Sequence, residues 1–89
     1  MSGDTDEIEA TVLRLIAERG VGKTICPSEV ARALGGVHPD GWGPLMQPVR
    51  KTAVRLAHQG ALVITRKGRV VDPDSFKGVY RLGLPTHAE

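Results

Sequence analysis

Aromatic residues and cysteines are scarce in this sequence. Trp42, Phe76 and Tyr80 are the only aromatic residues among 89, so the core has to consist of aliphatic side chains. The single cysteine, Cys26, excludes an internal disulfide. No apolar run approaches the roughly 20 residues that cross a bilayer, and no stretch has the charged start and apolar run of a secretory signal. We therefore expect a cytoplasmic protein with no membrane contact.

Acidic residues are absent from the middle of the chain. The net charge is only +2, yet no acidic residue lies between Asp40 and Asp72. The bases that fall in this interval are Arg50, Lys51, Arg55, Arg66, Lys67 and Arg69. Acids are concentrated instead in residues 1–19. This asymmetry predicts a basic surface, provided that the fold brings these bases together.

Length and composition are typical of one small globular domain. The 89 residues are 40% hydrophobic and 25% charged, which is ordinary usage for a folded protein. A two-domain enzyme is excluded by this length. The sequence predicts a domain over residues 5–82, with residues 1–4 and 83–89 as short flexible termini.

The stretch "GVGKT", Gly20 to Thr24, resembles the end of a phosphate-binding loop. Such a loop needs a glycine five positions before the Gly-Lys pair, and it lies between a strand and a helix. Here the earlier position is Ala17, and the stretch follows a predicted helix from about Thr5 to Arg19, for which Asp4 or Thr5 is the expected N-cap. We therefore interpret the stretch as a loop that ends this helix, and we expect no nucleotide binding.

A second helix is predicted from Pro27 to about Leu34. Proline suits the first position of a helix, and Glu29 stands three residues after Cys26, as the acid of a capping box does. A very short strand over residues 24–26 is expected before it, because β-branched residues there are bounded by Gly and Pro.

The third predicted helix ends at Gly60, but its start is open. Pro44 and Pro48 cannot both lie inside a regular helix, so it begins near one or the other. Helical periodicity predicts an exposed face with Gln47, Lys51, Val54 and His58, flanked by Arg50 and Arg55. Arg50 is expected either to meet a phosphate or to form an internal ion pair, for example with Glu29.

After Gly60 the pattern changes from helical to extended. The segments "ALVITR" and "VV" surround "RKGR", which is typical of a hairpin with a tight turn, and "GVYRL" predicts a further strand. The short segment before the second helix is expected to pair with this hairpin. The sequence therefore predicts an α+β, mainly α fold, a winged helix-turn-helix of three helices followed by a two- to three-stranded antiparallel β wing.

Neither metal binding nor catalysis is indicated by the sequence. Cys26, His38, His58 and His87 are scattered, without the paired spacing of zinc ligands. A nucleophilic Cys26 would need a base, for which His38 and His58 are the candidates, but we expect Cys26 to be a small buried residue at the start of the second helix. Trp42 is expected to pack the loop between the second and third helices onto the core. We predict no cofactor, no metal, no catalytic residue and no enzymatic activity.

The runs "TICPSEVARAL", "VRKTAVRLAHQGALVITRKGRVVDP" and "KGVYRL" resemble a family of small bacterial proteins of winged-helix type, catalogued as a domain of unknown function. The resemblance covers about Thr5 to Leu82 and implies the fold but no activity. More loosely, "PSEVARALGG" and "VRKTAVRLAHQGAL" are similar to the DNA-binding half of winged-helix bacterial transcription regulators. This sequence departs from those regulators because residues 35–43 intervene between the two helices, where the regulators have a tight turn.

The basic residues lead us to expect binding of double-stranded DNA, with the third helix as reader and the hairpin as wing. The predicted DNA-binding residues are Gln47, Arg50, Lys51, Arg55, Arg66, Lys67 and Arg69. The alternative is a winged-helix module that binds a protein partner, or forms a homodimer, without nucleic-acid contact. Exposed Val54, the acidic first helix and the loop with Trp42 favour that alternative.

Overall fold

A computed structural model describes residues 3–85 of the chain. The helices are α1 (Gly3–Arg19), α2 (Pro27–Gly35), α3 (Pro39–Trp42) and α4 (Met46–His58), with a 3₁₀ turn at Gly43–Leu45. The strands are β1 (Thr24–Ile25), β2 (Val63–Arg66), β3 (Arg69–Val70) and β4 (Arg81–Gly83). Residues 1–2 and 86–89, which include His87 and the outer parts of the predicted flexible termini, lie outside the described residues.

Helix α1 is held by one apolar stripe. Ile8, Val12 and Ile16 recur every four residues and are all buried, so α1 packs this stripe against α2 and α4. The helix begins two residues before the predicted start, so the expected N-cap residues lie inside its first turn. It ends as predicted, because Gly20 adopts φ 99° and its N–H donates to Ile16 O at 3.1 Å.

The start of α2 confirms the predicted capping. The Cys26 N–H donates to Glu29 Oε2 at 2.9 Å, and Pro27 occupies the first helical position. The helix runs to Gly35, one residue further than predicted. Cys26 itself is half-buried, whereas the sequence predicted a buried residue.

A short helix, α3, lies in the segment that the sequence analysis treated as a loop. Its four residues are too few to show helical periodicity in a sequence. The segment folds back onto α2 through a backbone contact between two glycines. A Cβ atom on Gly35 would lie 2.4 Å from Gly41 O, so this approach requires glycine.

Helix α4 begins at Met46, between the two predicted starts. Pro48 falls in its first turn, where a missing N–H costs nothing, and Pro44 falls in the preceding 3₁₀ turn. Both prolines are therefore accommodated without a kink in the helix interior. The helix buries Val49, Ala53 and Leu56 as expected from the periodicity.

The four strands form one antiparallel sheet in the order β1-β4-β2-β3. The predicted pairing of the short first strand with the hairpin region is confirmed, since Thr24 lies opposite Gly83. Gly83 was predicted to belong to the flexible terminus, but it is a buried member of β4. Lys67 and Gly68 connect β2 to β3 with φ of 53° and 82°, the signs that a type I′ turn requires.

The core lies between the helices and one face of the sheet. Ile25, Leu82 and Ile64 form a cross-strand row that points inward, and each is at most 1% exposed. This row joins the buried faces of α1, α2 and α4 in a single apolar cluster. The protein is thus α+β, mainly helical, with an antiparallel sheet, and its arrangement is compatible with a winged-helix-like fold.

Candidate nucleic-acid interface

One strip of α4 faces solvent. Gln47, Lys51 and His58 are exposed as predicted, whereas Val54, which was predicted to be exposed, is half-buried. Arg50 lies on one side of this strip and Arg55 on the other, and both are half-buried. The arginines that flank this strip make contacts within the fold.

Arg50 is bound to the segment that connects β3 to β4. Its Nη2 donates to Phe76 O at 3.0 Å, and its guanidinium carbon lies 4.0 Å from the centre of the Phe76 ring and 5.5 Å from that of Tyr80. A guanidinium over two aromatic faces gains cation–π attraction in addition to the hydrogen bond. Arg50 therefore holds residues 71–80 against α4.

Phe76 and Tyr80 form the apolar side of this contact. Their rings meet edge to face, with centres 5.0 Å apart and planes at 63°, and both side chains are buried. Burial raises the pKa of the Tyr80 phenol above its ordinary value of 10.0, and the nearby Arg50 charge opposes that rise. At the far end of α4, His58 Nε2 lies 2.8 Å from Asp74 Oδ1 and gives the same segment a second attachment.

Arg55 contacts α1. Its Nη2 donates to Glu9 Oε1 at 3.0 Å, with the two side chains 41% and 37% exposed. Glu9 therefore neutralises much of the Arg55 charge beside the strip. Glu29, which the sequence suggested as a partner of Arg50, pairs instead with Arg19 at 2.8 Å.

The predicted wing residues lie around the β2–β3 turn. Arg66 Nε donates to Val79 O at 2.9 Å and thus fastens the turn to the end of the 71–80 segment. Lys67 and Arg69 are exposed, and no carboxylate of residues 6–85 lies within salt-bridge distance of either. Lys77, which is not in the predicted set, is also exposed in this region.

The predicted DNA-binding cations differ in whether an acidic side chain neutralises their charge. Arg50 and Arg66 each donate one N–H to a backbone carbonyl, a neutral acceptor that leaves their positive charge uncompensated. Lys51, Lys67 and Arg69 carry no carboxylate partner within the described part of the chain. Of the predicted cations, Arg55 is the one that the described residues pair with an acid.

The loop "GVGKT" has the predicted geometry of a helix-ending loop. Gly20 and Gly22 adopt positive φ, and Lys23 N–H donates to Gly20 O at 3.2 Å, so this amide is directed at the loop itself. Lys23 is exposed. Across β1, Arg81 donates to Thr24 Oγ1 at 2.7 Å and to Thr24 O at 3.2 Å. Sequence reasoning did not identify Arg81, because its neighbours in the sheet are distant in the chain.

Trp42 and Cys26 contact residues close to them in the fold. Trp42 is half-buried and packs against the core, as predicted, with the Arg32 guanidinium 4.9 Å from its ring centre. Cys26 Sγ lies 3.1 Å from Ser28 Oγ. Within residues 3–85, no group of three His, Cys, Asp or Glu side chains is arranged to hold a metal ion. None of the described helices is both long and apolar enough to cross a membrane.

Comparison with known proteins identifies a family and no activity. No curated protein matches the sequence. Residues 5–85 match a family described as a protein of unknown function, DUF3253, so the match extends over nearly the whole chain. The chain is therefore a member of the DUF3253 family.

Proposed function

We propose that this protein binds double-stranded DNA without catalysing a reaction, in the cytoplasm of a bacterium. The observation that supports the proposal is the set of uncompensated cations on the solvent strip of α4 and on the β2–β3 turn. In this arrangement α4 lies in the major groove and the turn contacts the phosphate backbone.

In this proposal some side chains of α4 contact base edges, and others supply positive charge or hold neighbouring segments in place. Gln47 can hydrogen-bond a base edge through its amide, and Lys51 supplies a mobile charge one helical turn further on. Arg50 contributes positive potential while it keeps residues 71–80 in place. Arg55, paired with Glu9, contributes least to the affinity.

Backbone strain at Lys67 gives independent support. Lys67 is the one non-glycine residue of the described chain with positive φ, at a turn position that usually holds Asn, Asp or Gly. A left-handed conformation costs a lysine roughly 1 kcal/mol, whereas asparagine tolerates it better. Retaining a strained lysine at an exposed turn is consistent with a use for its charge.

The variant Lys67→Asn separates stability from binding. We expect it to raise the free energy of unfolding by a few tenths to about 1 kcal/mol and at the same time to weaken duplex binding several-fold. Fluorescence anisotropy with a labelled mixed-sequence duplex at low salt measures the affinity, and repeating it at rising salt should give a log–log slope smaller by about 0.9.

Charge reversals locate the interface. Lys51→Glu and Arg69→Glu should each weaken duplex binding at least tenfold at low salt. Arg14→Glu, on the exposed side of α1, is the matched control, and all three variants are also compared at about 0.1 M salt, where charge is screened beyond roughly 10 Å and this control should stay within about twofold of the parent affinity. Absence of binding at micromolar protein, or equal loss in all three variants, would overturn the proposal.

The internal contacts of Arg50, Arg55 and Arg66 favour a second candidate, a module that binds protein alone. Two features that favoured this module in the sequence are weaker in the structure, because Trp42 packs on the core and Val54 is half-buried. Affinity capture from nuclease-treated extract of the native cell distinguishes the two functions. A stoichiometric protein partner that survives nuclease, together with no duplex binding by the purified chain, would favour the protein-binding module.

A further inference from the structure

The outer face of the sheet carries two cross-strand rows of side chains. Because residues alternate between the faces of a strand, the neighbours of the buried row Ile25, Leu82 and Ile64 point outward. The strand register places Thr24, Gly83 and Val63 in one outer row. It places Arg81, Thr65 and Val70 in the other.

Gly83 makes this face concave. It occupies the centre of its row and has no side chain, so a trough runs between Thr24 and Val63. A Cβ atom at this position would lie 3.0 Å from Lys23 O, so a side chain here would require the Lys23 backbone to shift by a few tenths of an ångström. Leu84 and Val70 extend the apolar lining, and Val70 is 62% exposed.

The trough is bordered by positive charge. Lys23 and Arg81 lie along it, and the residues that line it include no acid. Arg69 and Lys67 follow at the adjoining turn. An occupant of this surface has to offer apolar groups to the trough and negative charge to its border.

The open edge of β3 offers backbone N–H and C=O groups to which a partner peptide in an extended conformation can hydrogen-bond. Val71 N–H donates to Ile64 O at 2.9 Å, so the N–H and C=O of Val70 point the other way, toward the open edge. The opposite edge is covered, because Thr24 O already accepts from Arg19 and Arg81. The β3 edge, two strands from β4, therefore presents the main-chain groups of Val70 to a strand-like partner.

We propose that this trough binds an extended peptide segment of a partner protein in which aliphatic and acidic residues alternate. Nucleic acid is a poorer match, because no aromatic side chain lines the trough and bases would have nothing to stack on. A symmetric dimer through this face is disfavoured, since it would bring the Lys23 and Arg81 charges of both copies together. The core separates the trough from the exposed strip of α4, whereas the β2–β3 turn with Lys67 and Arg69 adjoins both the trough and the proposed phosphate contacts.

The test selects a ligand from a displayed library of random ten-residue peptides, with the full chain immobilised. We expect the enriched peptides to alternate carboxylates with Val, Ile or Leu. A synthetic copy of the best peptide is then titrated into isotope-labelled protein. Amide shift changes should centre on Thr24, Thr65, Val70 and Gly83, and replacing the peptide carboxylates by amides should weaken binding at least tenfold.

Variants link the binding to the trough. Val70→Glu should weaken the selected peptide at least tenfold, because it removes an apolar contact and adds repulsion, and Lys23→Gln should weaken it several-fold. Val37→Glu is the matched control, since Val37 is 90% exposed on the α2–α3 connection and should have no effect. Lys51→Gln, which lies on the α4 strip, should also keep peptide affinity even where it impairs duplex binding.

Three results would overturn the proposal. The first is the absence of any enriched sequence, and the second is peptide affinity that Val70→Glu leaves unchanged. The third is concentration-dependent dimerisation through the face, which would assign the trough to a second copy of the chain. Failure of duplex binding alone would leave the peptide result standing, because the two readouts are measured separately.

Discussion

Replacing Arg50 by methionine tests whether this residue is a structural clamp as well as a source of positive potential. Methionine keeps much of the length and apolar bulk of the side chain but removes the guanidinium. The Phe76 carbonyl then loses its charged donor at 3.0 Å, and the Phe76 ring loses a cation 4.0 Å from its centre. Residues 71–80 remain attached to α4 through the His58–Asp74 contact.

The expected loss follows from those two contacts. A hydrogen bond from a charged group contributes about 1.5–3 kcal/mol, and a partly buried cation–π contact adds about 0.5–2 kcal/mol. Methionine packing offsets part of this sum, so we expect Arg50→Met to lower the free energy of unfolding by about 2–3 kcal/mol. For a domain of this size each 1 kcal/mol lowers Tm by about 4–8 °C.

Denaturant titration followed by circular dichroism measures this loss, with Lys51→Met as the matched control. Lys51 is exposed and one residue away, so its variant should stay within about 0.5 kcal/mol of the parent. Limited trypsin digestion adds a local readout, because cleavage after Lys77 should accelerate in Arg50→Met. Equal stability of the two variants, with unchanged cleavage after Lys77, would refute the clamp.

Three further predictions concern other contacts. Because burial raises the pKa of Tyr80, the folded state retains the neutral phenol when the unfolded chain begins to ionise, so stability should fall above about pH 10 in the parent and fall less in Tyr80→Phe. Gly35→Ala should cost about 1–3 kcal/mol in thermal unfolding, since its methyl would overlap Gly41 O. A double-mutant cycle of Glu9→Gln and Arg55→Met should give a coupling of only about 0.2–1 kcal/mol, because both groups are substantially exposed.

Each of these three predictions has a control and an outcome that would contradict it. Below pH 9 the Tyr80→Phe difference should be constant, and a difference that stays constant to pH 11 would contradict burial of the phenol. Gly43→Ala has no atom within 4 Å of the added methyl and should be nearly neutral. A cost at Gly43 equal to that at Gly35 would remove the close contact as the explanation. A Glu9–Arg55 coupling above about 2 kcal/mol would mean that the pair is more desolvated than its exposure indicates.

Features set by neighbours in sequence were predictable. The Cys26–Glu29 cap depends on a spacing of three residues, and the tight β2–β3 turn depends on Gly68 at its second position. The pairing of β1 with the hairpin region was also predicted. β-branched residues bounded by Gly and Pro favour a short strand, and a strand needs a neighbouring strand to pair with. The exposed face of α4 followed from periodicity alone.

Features set by distant partners were not predictable. Charge and periodicity identified Arg50 as a cation on the edge of α4, but its acceptor, Phe76 O, lies 26 residues away across a loop of irregular sequence. Helix α3 was missed because four residues show no period. The outer trough was missed because Gly83 contributes to it only by lacking a side chain, and sequence patterns register side chains that are present.

The sheet order has a consequence for how the protein folds. Strand β4 comes last in the chain yet lies between β1 and β2, and β1 is hydrogen-bonded to β4 alone. The hairpin of β2 and β3 can form early, but β1 stays unpaired until a strand more than fifty residues later arrives. Long loop closure of this kind is slow compared with helix formation. During synthesis the helices can therefore form first, whereas completion of the sheet waits for Arg81–Gly83.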